Sequence, residues 1–312
     1  MSATIEPLRP QAAANRIDLE AIVSGLRRSR EVTHNIRQGG RIRELPSPAV
    51  LMNVMDGLVT SLFPTHLGPP GLTDDEVDVF IANTLQTATT RLVDQVSRGL
   101  LFNTGNLTQQ EARQRARRIV NSFAAELPAI RSLLVSDFRA GFQHDPAAES
   151  IAEILLCYRS STAIMYHRIA HALHGLGARL VARVISDISH GTTGIDIHPG
   201  ARIGESFFID RGTGVVIGET TVIGGNVRIH QGVTLGASES MGDIPEGRAL
   251  NTPRHPILED NVVVHAGATI LGRITIGAGS IIGGNVWLTR SVLPGSIITQ
   301  AASTKGDVQV LG

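Results

Sequence analysis

A ladder of aliphatic residues six apart constrains this chain more than any other feature. From Ile197 the rungs are Ile197, Ile203 and Ile209, then Ile217, Ile223, Ile229 and Leu235, then Leu258, Val264, Ile270, Ile276, Ile282 and Leu288. Glycine follows six of the thirteen: Gly204, Gly218, Gly224, Gly236, Gly277 and Gly283. A second apolar set stands two places before the rungs, among them Val215, Val227, Val233, Val262, Ala268 and Val286. A period of six fits neither an α-helix nor a hairpin sheet. It marks a parallel β-helix in which each hexapeptide forms one flat face and three faces close a coil. One coil cannot bury its own rungs, whereas stacked coils bury them together, so the unit is a solenoid. Thirteen rungs predict a little over four coils.

The ladder breaks twice. Between Ile209 and Ile217 the step is eight, and the extra residues fall within Asp210-Arg211-Gly212-Thr213-Gly214. Between Leu235 and Leu258 the step is 23, so about 17 residues leave the wall and return through Arg254-His255-Pro256. Interruptions of a rigid scaffold are where functional side chains are usually carried.

Bulk composition bounds the function. Acidic and basic residues balance at 28 each, which offers nothing for nucleic acid or an anionic membrane to grip. The one cysteine, Cys157, excludes an intrachain disulfide and suits a reducing compartment; it reads as a small buried hydrophobe. The first twenty residues have no apolar signal core, and no apolar run is long enough to span a bilayer. These features predict a soluble, cytoplasmic protein without nucleic-acid or membrane partners.

Ahead of the ladder the pattern is helical. Residues 1–16 read as a loose arm. Helical spacing over 17–37 places Leu19, Ile22, Val23 and Leu26 together. Ser47-Pro48 opens a second helix by its cap and first-turn chemistry. Residues 64–72 form a Pro/Gly linker, and Thr73-Asp74-Asp75-Glu76 starts a helix to about Leu101 with a capping-box pattern. Further helices are expected from Asn106, with Arg113, Arg115, Arg117 and Arg118 on a solvated face, over about 127–143 ending at His144-Asp145-Pro146, and over about 149–156 and 160–190. The predicted fold class is α+β and multidomain: a helical domain over 17–190, a β-helix over 191–292 with an excursion at 237–253, and a polar tail over 293–312. His167, His171 and His174 share one helix face, where a packed polar surface is expected rather than a metal site.

An ordered series of motifs carries a family likeness. Gly194-Ile195-Asp196-Ile197-His198-Pro199-Gly200-Ala201, Phe208-Ile209-Asp210, Gly212-Thr213-Gly214-Val215-Val216-Ile217-Gly218-Glu219-Thr220, Gln231-Gly232-Val233-Thr234-Leu235-Gly236 and Arg254-His255-Pro256 resemble serine O-acetyltransferases. So do Asp145-Pro146-Ala147 and Met165-Tyr166-His167-Arg168-Ile169-Ala170-His171. The likeness covers about residues 140–295, and residues 17–139 resemble the extended helical domain of the longer members.

The resemblance implies a left-handed coil, a homotrimer with active sites between neighbouring prisms, and pairing of trimers through the helical domain, which also supplies part of the serine site. It implies acetyl transfer from acetyl-CoA, as co-substrate rather than resident cofactor, to L-serine for cysteine synthesis, with L-cysteine as an inhibitor at the serine site. By position, Asp196 matches the residue that orients the catalytic base. Asp145 and Asp210 match the carboxylates that hold the serine amino group, and Arg254 and His255 match the pair for its carboxylate. Ala237 and Ala266 match positions along the path of the pantetheine arm. No metal is implied. Many relatives end in isoleucine, which inserts into O-acetylserine sulfhydrylase; this chain ends Val310-Leu311-Gly312, so that complex is not expected.

One catalytic position departs from the pattern. Where the family carries its catalytic histidine, this chain has Arg211. A guanidinium stays protonated and cannot accept the serine proton, although it suits a carboxylate or an oxyanion. Three alternatives follow: a scaffold homologue without turnover, an acyltransferase for another hydroxyl acceptor, and a displaced base at His230 or His255. Ile229 should stack on Ile209, which would bring His230 one coil, about 4.8 Å, from Asp210. A zinc site of His230, His255 and His265 ranks last, because the close His-x4-His pair is missing.

Overall fold

A computed structural model describes residues 17–32, 44–103, 107–238 and 252–300. The expected arm at 1–16, most of the excursion and the end of the tail lie outside these residues. The chain divides into two units, residues 1–43 and residues 44–312. The described part of the first is α1 (Leu19–Val32), with Leu19, Ile22, Val23 and Leu26 exposed along it.

The second unit begins with helices whose ends follow local chemistry. Ser47 caps α2 (Pro48–Leu62) by accepting from the Val50 N–H. A four-residue α3 (Pro64–Leu67) occupies part of the expected linker. Glu76 reaches back to the Thr73 N–H at the start of α4 (Asp74–Asn103). A full Thr108/Glu111 capping box opens α5 (Gln109–His144). Two helices were expected over the α5 stretch, yet one 36-residue helix runs straight through Pro128. An interior proline costs about 3 kcal/mol. The buried stripe from Ala112 to Phe138, packed against α4, outweighs it. After α6 (Ile151–Cys157), the expected 160–190 helix is two, α7 (Arg159–Gly175) and α8 (Arg179–Thr193), separated at Gly177, whose φ is 95°. Cys157 is exposed rather than buried, because it closes α6 beyond the part that packs. Arg113, Arg115, Arg117 and Arg118 are exposed as expected.

The ladder then forms a three-faced prism of parallel strands. Face 1 stacks β1 (Asp196–Ile197), β4 (Val216–Ile217), β7 (Thr234–Gly236), β10 (Thr269–Leu271) and β13 (Trp287–Leu288). Face 2 stacks β2 (Arg202–Ile203), β5 (Val222–Ile223), β8 (Ile257–Leu258) and β11 (Thr275–Ile276). Face 3 stacks β3 (Phe208–Asp210), β6 (Arg228–His230), β9 (Val263–Val264), β12 (Ile281–Ile282) and β14 (Ile297–Ile298). Every rung falls in register with the rung one coil away, for example Ile197 on Ile217 on Leu235, and Ile209 on Ile229 on Val264. Twelve rungs are buried and Ile203 is half-buried, while the second apolar set fills the corners between faces. The wall continues beyond residue 292, where the tail was expected: Val292 bridges to Ile276, and β14 pairs with β12.

The helices close the first coil through polar contacts as well as apolar ones. Arg168 makes two bonds to the buried Asp137 carboxylate, at 2.7 and 2.8 Å, and donates to the carbonyls of Ile203 and Gly204. Asp137 also accepts the Phe207 N–H. Ser186 donates to the Ile197 carbonyl, and His171 to that of Pro199. His167 is buried beside them and His174 meets His198 edge-on.

Candidate active site

Turns between the faces position the candidate residues, and they fall on the two long edges that border face 1. Asp210 and Arg211 occupy the turn from face 3 to face 1, with Arg211 in a left-handed conformation (φ 58°). Gly212 follows at φ 90°, where a side chain would collide with Ile195. Asp196 opens face 1 one coil below Val216, beside this turn, since Gly214 donates to the Gly194 carbonyl.

Asp145, the C-cap of α5, belongs to the same edge. Its carboxylate accepts from the Tyr158 hydroxyl at 2.6 Å and from the Ala147 N–H at 2.9 Å. These bonds, with a smaller contribution from the charge on Arg211, hold the Asp145 carboxyl below the usual carboxylate range. Tyr158 is pushed up to about 12, mainly by that bond to Asp145, and it also feels the charge on Asp210. The result is a cluster of two carboxylates and one hydrogen-bonded phenol within reach of the charge on Arg211. Tyr158 was not foreseen. Its position directly after Cys157, as the N-cap of α7, carries no sequence signal for a site.

His230 stacks directly on Asp210 along face 3, as the ladder required. Its Nε2 lies 3.5 Å from Asp210 Oδ2 and 3.3 Å from Arg228 Nη2, and its Nδ1 lies 2.9 Å from the Val264 carbonyl. One coil further on, His265 stacks on its ring at 4.8 Å.

The second group occupies the edge between faces 1 and 2, where the excursion rejoins the wall. Arg254 donates to Glu219 at 2.7 Å. His255 is buried, and its Nδ1 accepts from the Thr220 N–H at 3.1 Å, leaving Nε2–H as the donor. The hydroxyl oxygen of Thr220 accepts the backbone N–H groups of both Arg254 and His255, and Arg273 donates to the carbonyls of Thr220 and His255. Gly218 makes room for the imidazole, because a Cβ there would overlap its ring. Burial first, and then the charge on Arg254, pull the His255 imidazole down to about 4. It is therefore neutral at pH 7. A cavity of about 200 Å³ adjoins this edge, lined by His174, Arg202, Glu219, Thr220 and Arg273 among others. Glu219 and Thr220, both within a quoted motif, had no role assigned from sequence, yet they hold Arg254 and His255 in place.

Asp145, Asp210, Arg211 and His230 therefore gather on one edge, with Asp196 beside them, while Arg254 and His255 gather on the other. All of face 1 lies between the two groups. The half-buried positions Ala237, at the end of β7, and Ala266, in the turn after His265, likewise border face 1 on opposite sides. His230 and His265 are stacked and His255 is on the other edge, so the three do not converge. Among the described residues no group of three or more His, Cys, Asp or Glu could hold a metal ion, and no helix is long and apolar enough to cross a membrane.

Comparison with known proteins gives a consistent result. Residues 255–290 match the family described as bacterial transferase hexapeptide (six repeats). The chain is 52% identical over 262 residues to the plasmid serine acetyltransferase of Synechococcus elongatus, with 82% of each chain covered. It is 44% identical over 162 residues to serine acetyltransferase of Mycobacterium tuberculosis, covering 52% of this chain and 67% of that one. The crystal structure of Entamoeba histolytica serine acetyltransferase 1 in complex with L-cysteine superposes with a TM-score of 0.71 at 31% identity, over 89% of this chain and 97% of that one. With a relative at 52% identity over four fifths of both chains and a solved structure that superposes over most of this one, the chain belongs to the serine acetyltransferase family.

Proposed function

We propose that this chain transfers acetyl from acetyl-CoA to the hydroxyl of L-serine, in a cleft that two protomers build together. The observation that carries the proposal is the charge layout. A free amino acid presents an ammonium and a carboxylate a few ångströms apart. One edge of face 1 offers the carboxylates Asp145 and Asp210, and the other offers Arg254 and the neutral donor His255. The groups matched to the two ends of serine thus stand on opposite edges of one protomer, with face 1 between them. A cyclic trimer sets the first edge of one copy against the second edge of the next and completes the site three times.

Within that cleft Asp145 and Asp210 take the ammonium, with Tyr158 fixing Asp145. Arg254 and His255 take the carboxylate, with Glu219 and Thr220 fixing them in turn. Arg211 carries a guanidinium at this turn, and we assign it the developing charge on the thioester oxygen. Asp196 stands behind the same turn as a positioning group. Acetyl-CoA lies along the borders of face 1 past Ala237 and Ala266, and L-cysteine competes for the serine subsite. The reaction belongs to the cytoplasm, in keeping with a single free cysteine.

The test follows release of the CoA thiol with L-serine as acceptor. Serine-dependent release is expected from the chain as it stands, and Asp145→Asn and Arg254→Ala should each abolish most of it. Refolding the two variants together should restore turnover, because about one quarter of sites in randomly mixed trimers pair two intact edges. Recovery no greater than the sum of the separate variants would place both groups in a site within one protomer.

A further inference from the structure

Arg211 removes the proton acceptor from its usual place, yet the reaction still needs one. We infer that His230 is the general base, its Nε2 taking the proton from the serine hydroxyl; this rests on the acetyltransferase function proposed above.

The tautomer is fixed from both sides. The Val264 carbonyl can only accept, so the Nδ1 that lies 2.9 Å from it carries the ring proton. The Arg228 guanidinium can only donate, so the Nε2 that lies 3.3 Å from its Nη2 presents a lone pair. An orienting acceptor behind one ring nitrogen and an acceptor pair on the other is the arrangement a histidine base requires; that pair accepts from Arg228 here and exchanges this partner for the serine hydroxyl when substrate binds. A backbone carbonyl here does what a carboxylate does in many such sites.

Position agrees with chemistry. Nε2 lies 3.5 Å from Asp210 Oδ2, one of the two carboxylates assigned to the serine ammonium. The hydroxyl of serine is two carbons from its amino nitrogen, so a serine anchored on Asp210 brings its Oγ to this imidazole. The His230 side chain is 13% exposed, and its ring stacks along the coil axis on that of His265, with 26° between the ring planes.

The step balances without further reagents. Nε2 takes the proton as serine Oγ bonds to the thioester carbon, and the electron pair moves onto the carbonyl oxygen beside Arg211. The imidazolium is meanwhile stabilised by Asp210. As the intermediate collapses, the carbon–sulfur bond breaks, and the thiolate of CoA takes the proton from Nε2. O-acetylserine and free CoA leave, and the neutral imidazole is restored.

The experiment compares the full chain with His230→Asn, whose amide can keep the bond to the Val264 carbonyl while lacking Nε2. Initial rates of CoA release are measured against serine, acetyl-CoA and pH. General-base catalysis contributes about 10²–10⁴-fold, so kcat should fall by that factor while both KM values stay within a few-fold. The acid limb of the kcat profile should vanish; the groups facing the ring, Asp210, Arg228 and His265, remain in the variant. His230→Ala, assayed alongside in case the first variant folds poorly, should regain turnover when free imidazole is added. A His230→Asn variant with kcat within threefold of the original and an unchanged acid limb overturns the inference and leaves the acetyltransferase function standing. So does a folded His230→Ala variant that binds serine normally and shows no imidazole rescue. If the unaltered chain releases no CoA with serine, the proposed function falls, and this inference with it.

Discussion

The Tyr158 hydroxyl donates to Asp145 Oδ2 at 2.6 Å, joining the cap of α7 to the last turn of α5. The carboxylate assigned to the serine ammonium is thus aimed by a phenol that stays protonated, and keeps donating, throughout the neutral range. Hydrogen bonds to charged groups contribute about 1.5–3 kcal/mol. Tyr158→Phe should therefore raise the KM for serine about tenfold or more and change kcat much less, with the KM for acetyl-CoA unmoved. Steady-state kinetics with each substrate varied in turn check this. An unchanged serine KM would show that Asp145 does not bear the ammonium.

Acid should weaken the fold from just below neutrality, through its histidines. His167, His174, His198, His255 and His265 are all held below the ordinary imidazole value, each chiefly by burial, with His198 and His255 at about 4. In the unfolded chain they take up protons near pH 6.5. Between about 6.5 and 4 the unfolded state binds more protons than the folded one, so stability falls as pH falls through that window. Thermal melts at pH 7, 6 and 5 should show a declining Tm, and His198→Gln combined with His255→Gln should flatten the decline. An identical slope in the double variant would mean that these two imidazoles do not resist protonation.

The contact between Arg168 and Asp137 should be costly to halve. Both side chains are almost fully buried, and removing one partner of such a pair typically costs about 3–5 kcal/mol. Arg168→Met should destabilise by that order in urea unfolding. Adding Asp137→Asn should recover part of the loss, because the amide oxygen can still accept the Phe207 N–H and no uncompensated charge remains. If the two losses simply add, the charge on Asp137 is not what makes the single variant unstable.

Much of the prism was legible because its interior admits only aliphatic rungs, at a fixed period, whatever the rest of the chain does. Val292 and Ile298 escaped notice because the step from Leu288 to Val292 is four rather than six, which hides the resumption at Ile298. The helix ends were marked by Ser47, Thr73 and Asp145, whose chemistry is local. The continuity of α5 through Pro128 was not marked, because packing along the whole helix decides it. At the site, the stacking of His230 on Asp210 followed from ladder arithmetic. Tyr158, Glu219 and Thr220 did not, since each acts through a residue far away in sequence or on another coil. Spacing also could not tell that the motif residues divide between two borders of face 1, because the excursion conceals which edge Arg254 and His255 rejoin.

The bonds from Arg168, His171 and Ser186 onto the first coil have a consequence for how this protein can be cut. The lowest rung of a parallel stack presents a bare row of backbone acceptors, an invitation to another stack. Here α7 and α8 answer part of that row themselves, on the Ile197, Pro199, Ile203 and Gly204 carbonyls. A fragment beginning at residue 194 would keep every hexapeptide and lose its stopper. Shortened forms that stay dispersed must therefore begin upstream of Asp137, so that this plug travels with the barrel of rungs it seals.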